Sequence, residues 1–282
     1  QPLLMQHYAG LFGARGIPVA QLLITARDFR NRRSYLNIGH TIESLIGSGA
    51  LPIINENDAV STAELEFGEN DILSAACAAL FRAGLLIILT SVSGFLDGTE
   101  RVRFLSRITQ KERVLARGPE GPGSGGMAAK IRAGELCLAS GSALAILPGR
   151  EENIIPAFLD GEDKGTLIAG HAGSKLSARK RWILYSMAHG QIEVDDGAVA
   201  ALASRGSSLL AAGIRQVQGT FFPGDVVAIM GKQGEVGRGI ANYSSREIQE
   251  RAGRKSEEYA DLFVRGTEIV HRDNLVLTGN AV

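Results

Sequence analysis

The sequence predicts an α/β protein: a three-layer α/β/α domain built on a mostly parallel sheet, followed by a small barrel-like β domain. Three observations carry this. Short apolar runs alternate with helical stretches from residue 1 to about 170, the alternation that builds a parallel sheet. Past residue 190 the texture changes to short alternating strands separated by turns such as Asp196-Gly and Phe222-Pro-Gly-Asp. Between the two, the run His171-Ala-Gly-Ser-Lys-Leu-Ser-Ala-Arg-Lys-Arg is small, polar and basic, and reads as a linker. The expected division is a first domain over 1–172, a linker over 173–189 and a second domain over 190–282.

Residues 1–15 read as a helix with Leu3, Leu4, Tyr8 and Leu11 on one face. Gly16-Ile-Pro then introduces a buried strand over 19–25. The run Arg27-Asp-Phe-Arg-Asn-Arg-Arg is expected to be a basic, solvated turn. An amphipathic helix over 35–46 closes on Gly47-Ser-Gly, and Leu51-Pro-Ile-Ile-Asn is a short strand suited to a parallel sheet. A helix over 70–83 leads into Gly84-Leu-Leu-Ile-Ile-Leu-Thr90, the cleanest buried strand. A further helix runs past Lys130 into a strand over 143–147. In the second domain, strands are expected near 191–195, 214–219, 226–230 and 236–243, with short helices over 198–203 and 246–252.

Thirty basic and thirty acidic residues cancel, so overall charge favours neither nucleic acid nor an anionic membrane. The two cysteines, Cys77 and Cys137, lie in apolar helical runs and read as buried thiols of a reducing compartment. No apolar run reaches the roughly 20 residues that cross a bilayer. The start lacks the layout of a secretory signal and an initiator Met, so a cytoplasmic chain, itself a piece of a longer one, is expected. The five histidines are scattered without metal-ligand spacing, and no metal site is expected from side chains alone.

Chemistry concentrates at three places. Gly121-Pro-Gly-Ser-Gly-Gly-Met-Ala-Ala-Lys130 is a glycine-rich loop feeding a helix start. Bare backbone N–H groups and the positive end of a helix dipole make a ready anion site, and phosphate is the usual occupant. Lys130 falls about one turn into that helix, within reach of the same anion. The spacing is not that of a Walker A loop, whose lysine directly follows a glycine. A plain surface loop is the competing reading of these ten residues.

Asn55-Glu-Asn-Asp58 follows directly on a strand, where ligands bind in open α/β sheets. Gly68-Glu-Asn-Asp71 repeats the theme at a helix start. Each could be only a turn or a cap; two such clusters within fourteen residues are harder to explain as independent caps. Thr90-Ser-Val-Ser-Gly94 is a third polar switch at a strand end.

These stretches, with Arg179-Lys-Arg-Trp-Ile, Val194-Asp-Asp-Gly-Ala, Arg205-Gly-Ser-Ser-Leu-Leu and Val270-His-Arg-Asp-Asn, occur in an order and at spacings that span nearly the whole chain. In them the chain resembles the glutamate 5-kinase family, amino acid kinases joined to a C-terminal PUA domain. The resemblance implies transfer of a phosphoryl group from ATP, with Mg²⁺, to the side-chain carboxylate of L-glutamate. On matching positions, Asp58, Asn70 and Asn55 would bind glutamate and Asp71 would orient lysine. Ser124, Gly125, Gly126, Met127, Ala128, Ala129 and Lys130 would hold the ATP phosphates, with Lys130 neutralising the transferring group. Thr90 and Ser91 would lie at the nucleotide. Feedback by proline and a homo-oligomer are also implied.

The sequence departs from the family in places. A Lys-x-Gly-(Ser/Thr) strand and a Ser-Gly-Ala loop, which in the family precede these residues, are not in the sequence, so a chain of these residues alone is expected to have little or no activity. The usual Thr-Asp is Thr90-Ser91, and Ala128-Ala129 replaces hydroxyl residues. Three other readings are a kinase acting on acetylglutamate, aspartate or a nucleotide, an RNA-binding module, and a catalytically impaired chain. The basic residues of the second domain are matched by acids with no aromatic–basic stripe, so RNA binding is not expected.

Overall fold

The computed structural model describes residues 1–57, 70–117, 125–170, 176–254 and 266–278. Helix α1 (Pro2–Gly13), with proline in its first turn, leads to β1 (Val19–Ile24). The basic run 27–33 is not the turn its composition suggests. Thr25 and Asp28 form a capping box, the Asp28 carboxylate accepting from the Thr25 N–H at 2.9 Å, and start α2 (Ala26–Arg30). Asn31 then caps α3 (Arg32–Gly47), accepting from the N–H groups of Arg33 and Ser34. The reason is Phe29, fully buried and edge-on to Tyr35 at 5.7 Å. One buried ring is enough to hold a charged segment against the core as helix.

Next come β2 (Leu51–Glu56), α4 (Asn70–Phe81) and β3 (Leu85–Thr90). A hairpin of β4 (Leu96–Asp97) and β5 (Glu100–Arg101), then β6 (Phe104–Leu105) and α5 (Gln110–Arg117), precede α6 (Gly125–Ser140). The domain continues with β7 (Ala143–Pro148), α7 (Ile154–Leu159) and β8 (Thr166–Ile168). β1 and β2 pair in parallel; a second sheet has the order β3-β7-β8-β6, parallel except where β8 runs against β7.

Strand β7 shows the layering. Leu144 and Ile146 point into the core shared with α4 and α6, whereas Ala145 and Leu147 pack on the other face with Ile154 and Phe158 of α7. Alternate side chains of a strand face opposite ways, so helices must cover both sides. On the first face α4 presents Ala75, Ala76, Ala78 and Ala79, and α6 presents Ala129 and Ala133, all buried. Small side chains let two helices approach closely, which brings together the residues at their starts.

The stretch 171–181, read as linker, contains the start of a helix, α8 (Ala178–Tyr185), opened by Ser177. Trp182, Ile183, Leu184 and Tyr185 are buried in the same core as α4 and α6. Beyond it lie β9 (Gln191–Val194), α9 (Asp196–Arg205), β10 (Leu209–Leu210), β11 (Ile214–Gln218), β12 (Val226–Gly231) and β13 (Gly234–Ile240). Helix α10 (Ser245–Arg251), β14 (Glu268–Val270) and β15 (Leu275–Leu277) complete the described chain. The five-stranded sheet β11-β9-β12-β13-β15 encloses its own core of Ile192, Val194, Phe221, Val227 and Ile229.

Cys77 and Cys137 are free and buried, and burial pushes each thiol up from an ordinary value of 9.0 to about 12. The unfolded chain therefore gives up these protons first as pH rises. Their contribution to stability is complete below the unfolded value and is lost as pH climbs through the folded one. Native protein is expected to show no thiol reaction with a disulfide reagent at pH 8 and both thiols in denaturant. Its denaturation midpoint should fall between pH 9 and 11, within the window these values bound. Rapid native labelling would contradict this.

Candidate active site

Two helix starts meet at the carboxyl side of the sheet. Asp71 is the second residue of α4, and Lys130 lies in the second turn of α6. The Lys130 Nζ donates to Asp71 Oδ2 at 2.9 Å, and the two side chains are only 14% and 20% exposed. The same ammonium donates to the carbonyl of Gly126 at 3.2 Å, which folds it back toward the start of its own helix. Two of its three donors are so used among the described residues, and the third is available to a ligand.

The start of α6 fits an anion. A methyl group built on Gly126 would meet no atom within 4 Å, so the packing of the chain does not itself demand glycine there. Beside Gly126 the space is open among the described residues, the helix start presents the N–H groups of its first turn, and the Lys130 charge stands one turn behind. A polyphosphate needs those three features. Among the described residues no three His, Cys, Asp or Glu side chains cluster. Magnesium held chiefly by phosphate oxygens and water requires no such cage.

Asn55, near the end of β2, and Asn70, the first residue of α4, line one cavity of about 450 Å³. It lies between β2 and β3, with Leu73, Cys77 and Phe81 of α4 along its apolar wall. A pocket with an apolar body and a few convergent amides suits a small polar molecule. Ser74 joins this lining and donates its hydroxyl to the Asp71 carbonyl at 2.8 Å. Sequence reasoning passes over it, because a serine in an alanine-rich helix reads as filler; its spacing of four from Asn70 is the signal that puts both on one face.

The structure thus brings Asn55, Asn70, Asp71, Gly126 and Lys130 into one neighbourhood. Met127, Ala128 and Ala129 form the first turns of α6, with Ala129 buried. Gly125 is the first residue of that helix. Thr90 and Ser91 stand at the end of β3, where the Thr90 carbonyl accepts from the Gly149 N–H at 2.8 Å. No hydrogen bond or ion pair among the described residues links them to Lys130. Asp58 and Ser124 lie outside the described residues.

Comparison with known proteins bears on the whole chain. The profile of the amino acid kinase family matches residues 1–147, and that of the PUA domain matches residues 190–263. A glutamate 5-kinase of Gloeobacter violaceus is 45% identical over 289 aligned residues, which cover 98% of this chain and 78% of that protein. One from Trichlorobacter lovleyi is 42% identical, covering 98% and 77%. One from Deinococcus radiodurans is 42% identical, covering 98% and 79%.

Proposed function

This chain belongs to the glutamate 5-kinase family of amino acid kinases, with a PUA domain behind the kinase domain, and from that membership we propose how its site works. The activity is ATP-dependent phosphorylation of the side-chain carboxylate of L-glutamate, which opens proline biosynthesis. A glutamate carboxylate oxygen forms the new bond to the γ-phosphorus, the bond from that phosphorus to the β,γ-bridging oxygen breaks, and ADP leaves. A carboxylate is already ionised at neutral pH, so no general base is called for. What the reaction asks of the protein is in-line placement and positive charge around the transferring oxygens.

Lys130 and the amides at the start of α6 supply that charge. Asp71 aims the ammonium. Asn55 and Asn70 offer amide groups to the amino and carboxylate groups of glutamate, together with Asp58. Thr90, Ser91 and Ser124 complete the nucleotide contacts. Mg²⁺ arrives with ATP and spreads charge over the phosphates. The single observation that supports this arrangement most is the Lys130–Asp71 pair at the meeting of two helix starts, beside the amide-lined cavity. Feedback by proline and a homo-oligomer belong to the same reading and rest on the resemblance; a cytoplasmic location, little affinity for RNA and the 1–172, 173–189 and 190–282 division rest on the composition, charge balance and texture of the sequence. No helix among the described residues is long and apolar enough to cross a membrane.

The test is acyl-phosphate trapping by hydroxylamine in the natural full-length protein. Glutamate, ATP and magnesium together should yield hydroxamate, and omission of either substrate should abolish it. Product from acetylglutamate or aspartate, with none from glutamate, would overturn the assignment.

A further inference from the structure

Where α5, α6 and the second domain meet, a cavity of about 330 Å³ is lined by Arg113 and Arg117 of α5, Arg132 and Glu135 of α6, and Glu235 and Arg238 of β13. Both carboxylates already have partners. Arg113 Nε meets Glu135 Oε1 at 2.5 Å, and Arg238 grips Glu235 through two nitrogens at 2.8 and 3.1 Å. Arg238 Nη1 also donates to the carbonyl oxygens of Leu184 and Ser186, at 3.2 and 2.7 Å, closing the end of α8. Arg117 and Arg132 are exposed and have no ion pair among the described residues. Among the described residues four cations against two anions leave two positive charges uncompensated in a concave space, where low-dielectric walls concentrate the field. Guanidinium forks match phosphate and carboxylate oxygens in pairs. The cavity opens into a wider cleft of about 950 Å³ that shares Arg113 and Glu135 and adds Arg107, with room for the remainder of a ligand.

We propose that this junction binds a small molecule carrying two anionic groups, phosphate or carboxylate, between the kinase and PUA domains. The site is separate from the glycine start of α6, and the inference does not rest on the kinase reading. Its size favours a metabolite over a nucleic acid strand.

The experiment is calorimetric titration of the natural full-length protein with pyrophosphate and, separately, succinate and a single-stranded RNA oligonucleotide, all at fixed ionic strength. It is run on a Lys130→Met background so that the glycine loop contributes little. Pyrophosphate should bind, and Arg117→Gln with Arg132→Gln should raise its Kd about 10-fold or more, since each lost charged hydrogen bond carries a large share of such affinity. Arg27→Gln with Arg33→Gln, exposed positions that do not line the cavity, should change it less than about twofold. Arg132→Gln alone should cost about threefold or more and serves if the double variant does not fold. Succinate binding at the same arginines would extend the class to dicarboxylates; pyrophosphate alone would restrict it to phosphates. No binding of either, an unchanged Kd in the arginine variants, or binding only by a single-stranded RNA oligonucleotide would overturn the proposal.

Discussion

Replacing Lys130 by methionine is expected to lower kcat by about 100- to 1,000-fold, on the order of 3–4 kcal/mol, while the protein stays folded. The size follows from where the charge stands. The ammonium is held at the start of α6 by Asp71 and the Gly126 carbonyl, mostly out of water. There it needs no reorganisation when negative charge spreads over the transferring phosphoryl group, and its effect is little screened. Stability should change little, because Asp71 keeps a favourable place in the first turn of α4 after its partner is gone. Asp71→Asn should reduce kcat by a smaller factor with little change in KM for glutamate, since it removes the guide and leaves the charge. Steady-state kinetics with circular dichroism as the folding control measures both. A Lys130→Met enzyme retaining a third of its kcat would mean that the charge acts elsewhere.

Trp182→Ala is expected to cost about 3–5 kcal/mol of stability, a large share of the roughly 5–15 kcal/mol that holds a domain together. The indole is 6% exposed, its Nε1–H donates to the Phe29 carbonyl at 3.0 Å, and the Arg32 guanidinium lies 5.8 Å above the ring. Truncation would empty a large volume, remove one of the hydrogen bonds to the Phe29 carbonyl and remove the cation–π contact together. Ser186 would remain as the other donor to that carbonyl, its hydroxyl at 3.1 Å. Trp182→Phe keeps most of the packing and should cost about 1–2 kcal/mol, chiefly the hydrogen bond. Urea denaturation followed at the first transition gives both values. A Trp182→Ala protein within about 1 kcal/mol of the parent would show that α8 is not a structural clasp.

Trp182 also marks the limit of reading by composition. The basic residues Arg179-Lys-Arg directly before it belong to a stretch whose small, polar and basic composition reads as a linker. The same happened at 27–33, where Thr25 and Asp28 had the spacing of a capping box but the arginines pointed to a turn. In both cases one large ring, Trp182 or Phe29, outweighed the charges around it, because long arginine stems can reach water from a helix whose other side is buried. The hairpin of β4 and β5, two residues to a strand, leaves no periodicity to detect.

From sequence alone came the alternation that builds the sheet, the change of texture beyond residue 190, and the chemistry of the candidate site. A glycine run entering a helix, a lysine one turn in, and paired Asn-Asp clusters are legible because each is a local pattern within a few residues. The tertiary structure decided which of those groups meet. Lys130 and Asp71 touch across 59 positions, and Trp182 reaches Phe29 across 153. Such contacts depend on how closely two alanine-faced helices pack and which face of each segment turns inward, and no short spacing in a chain encodes that.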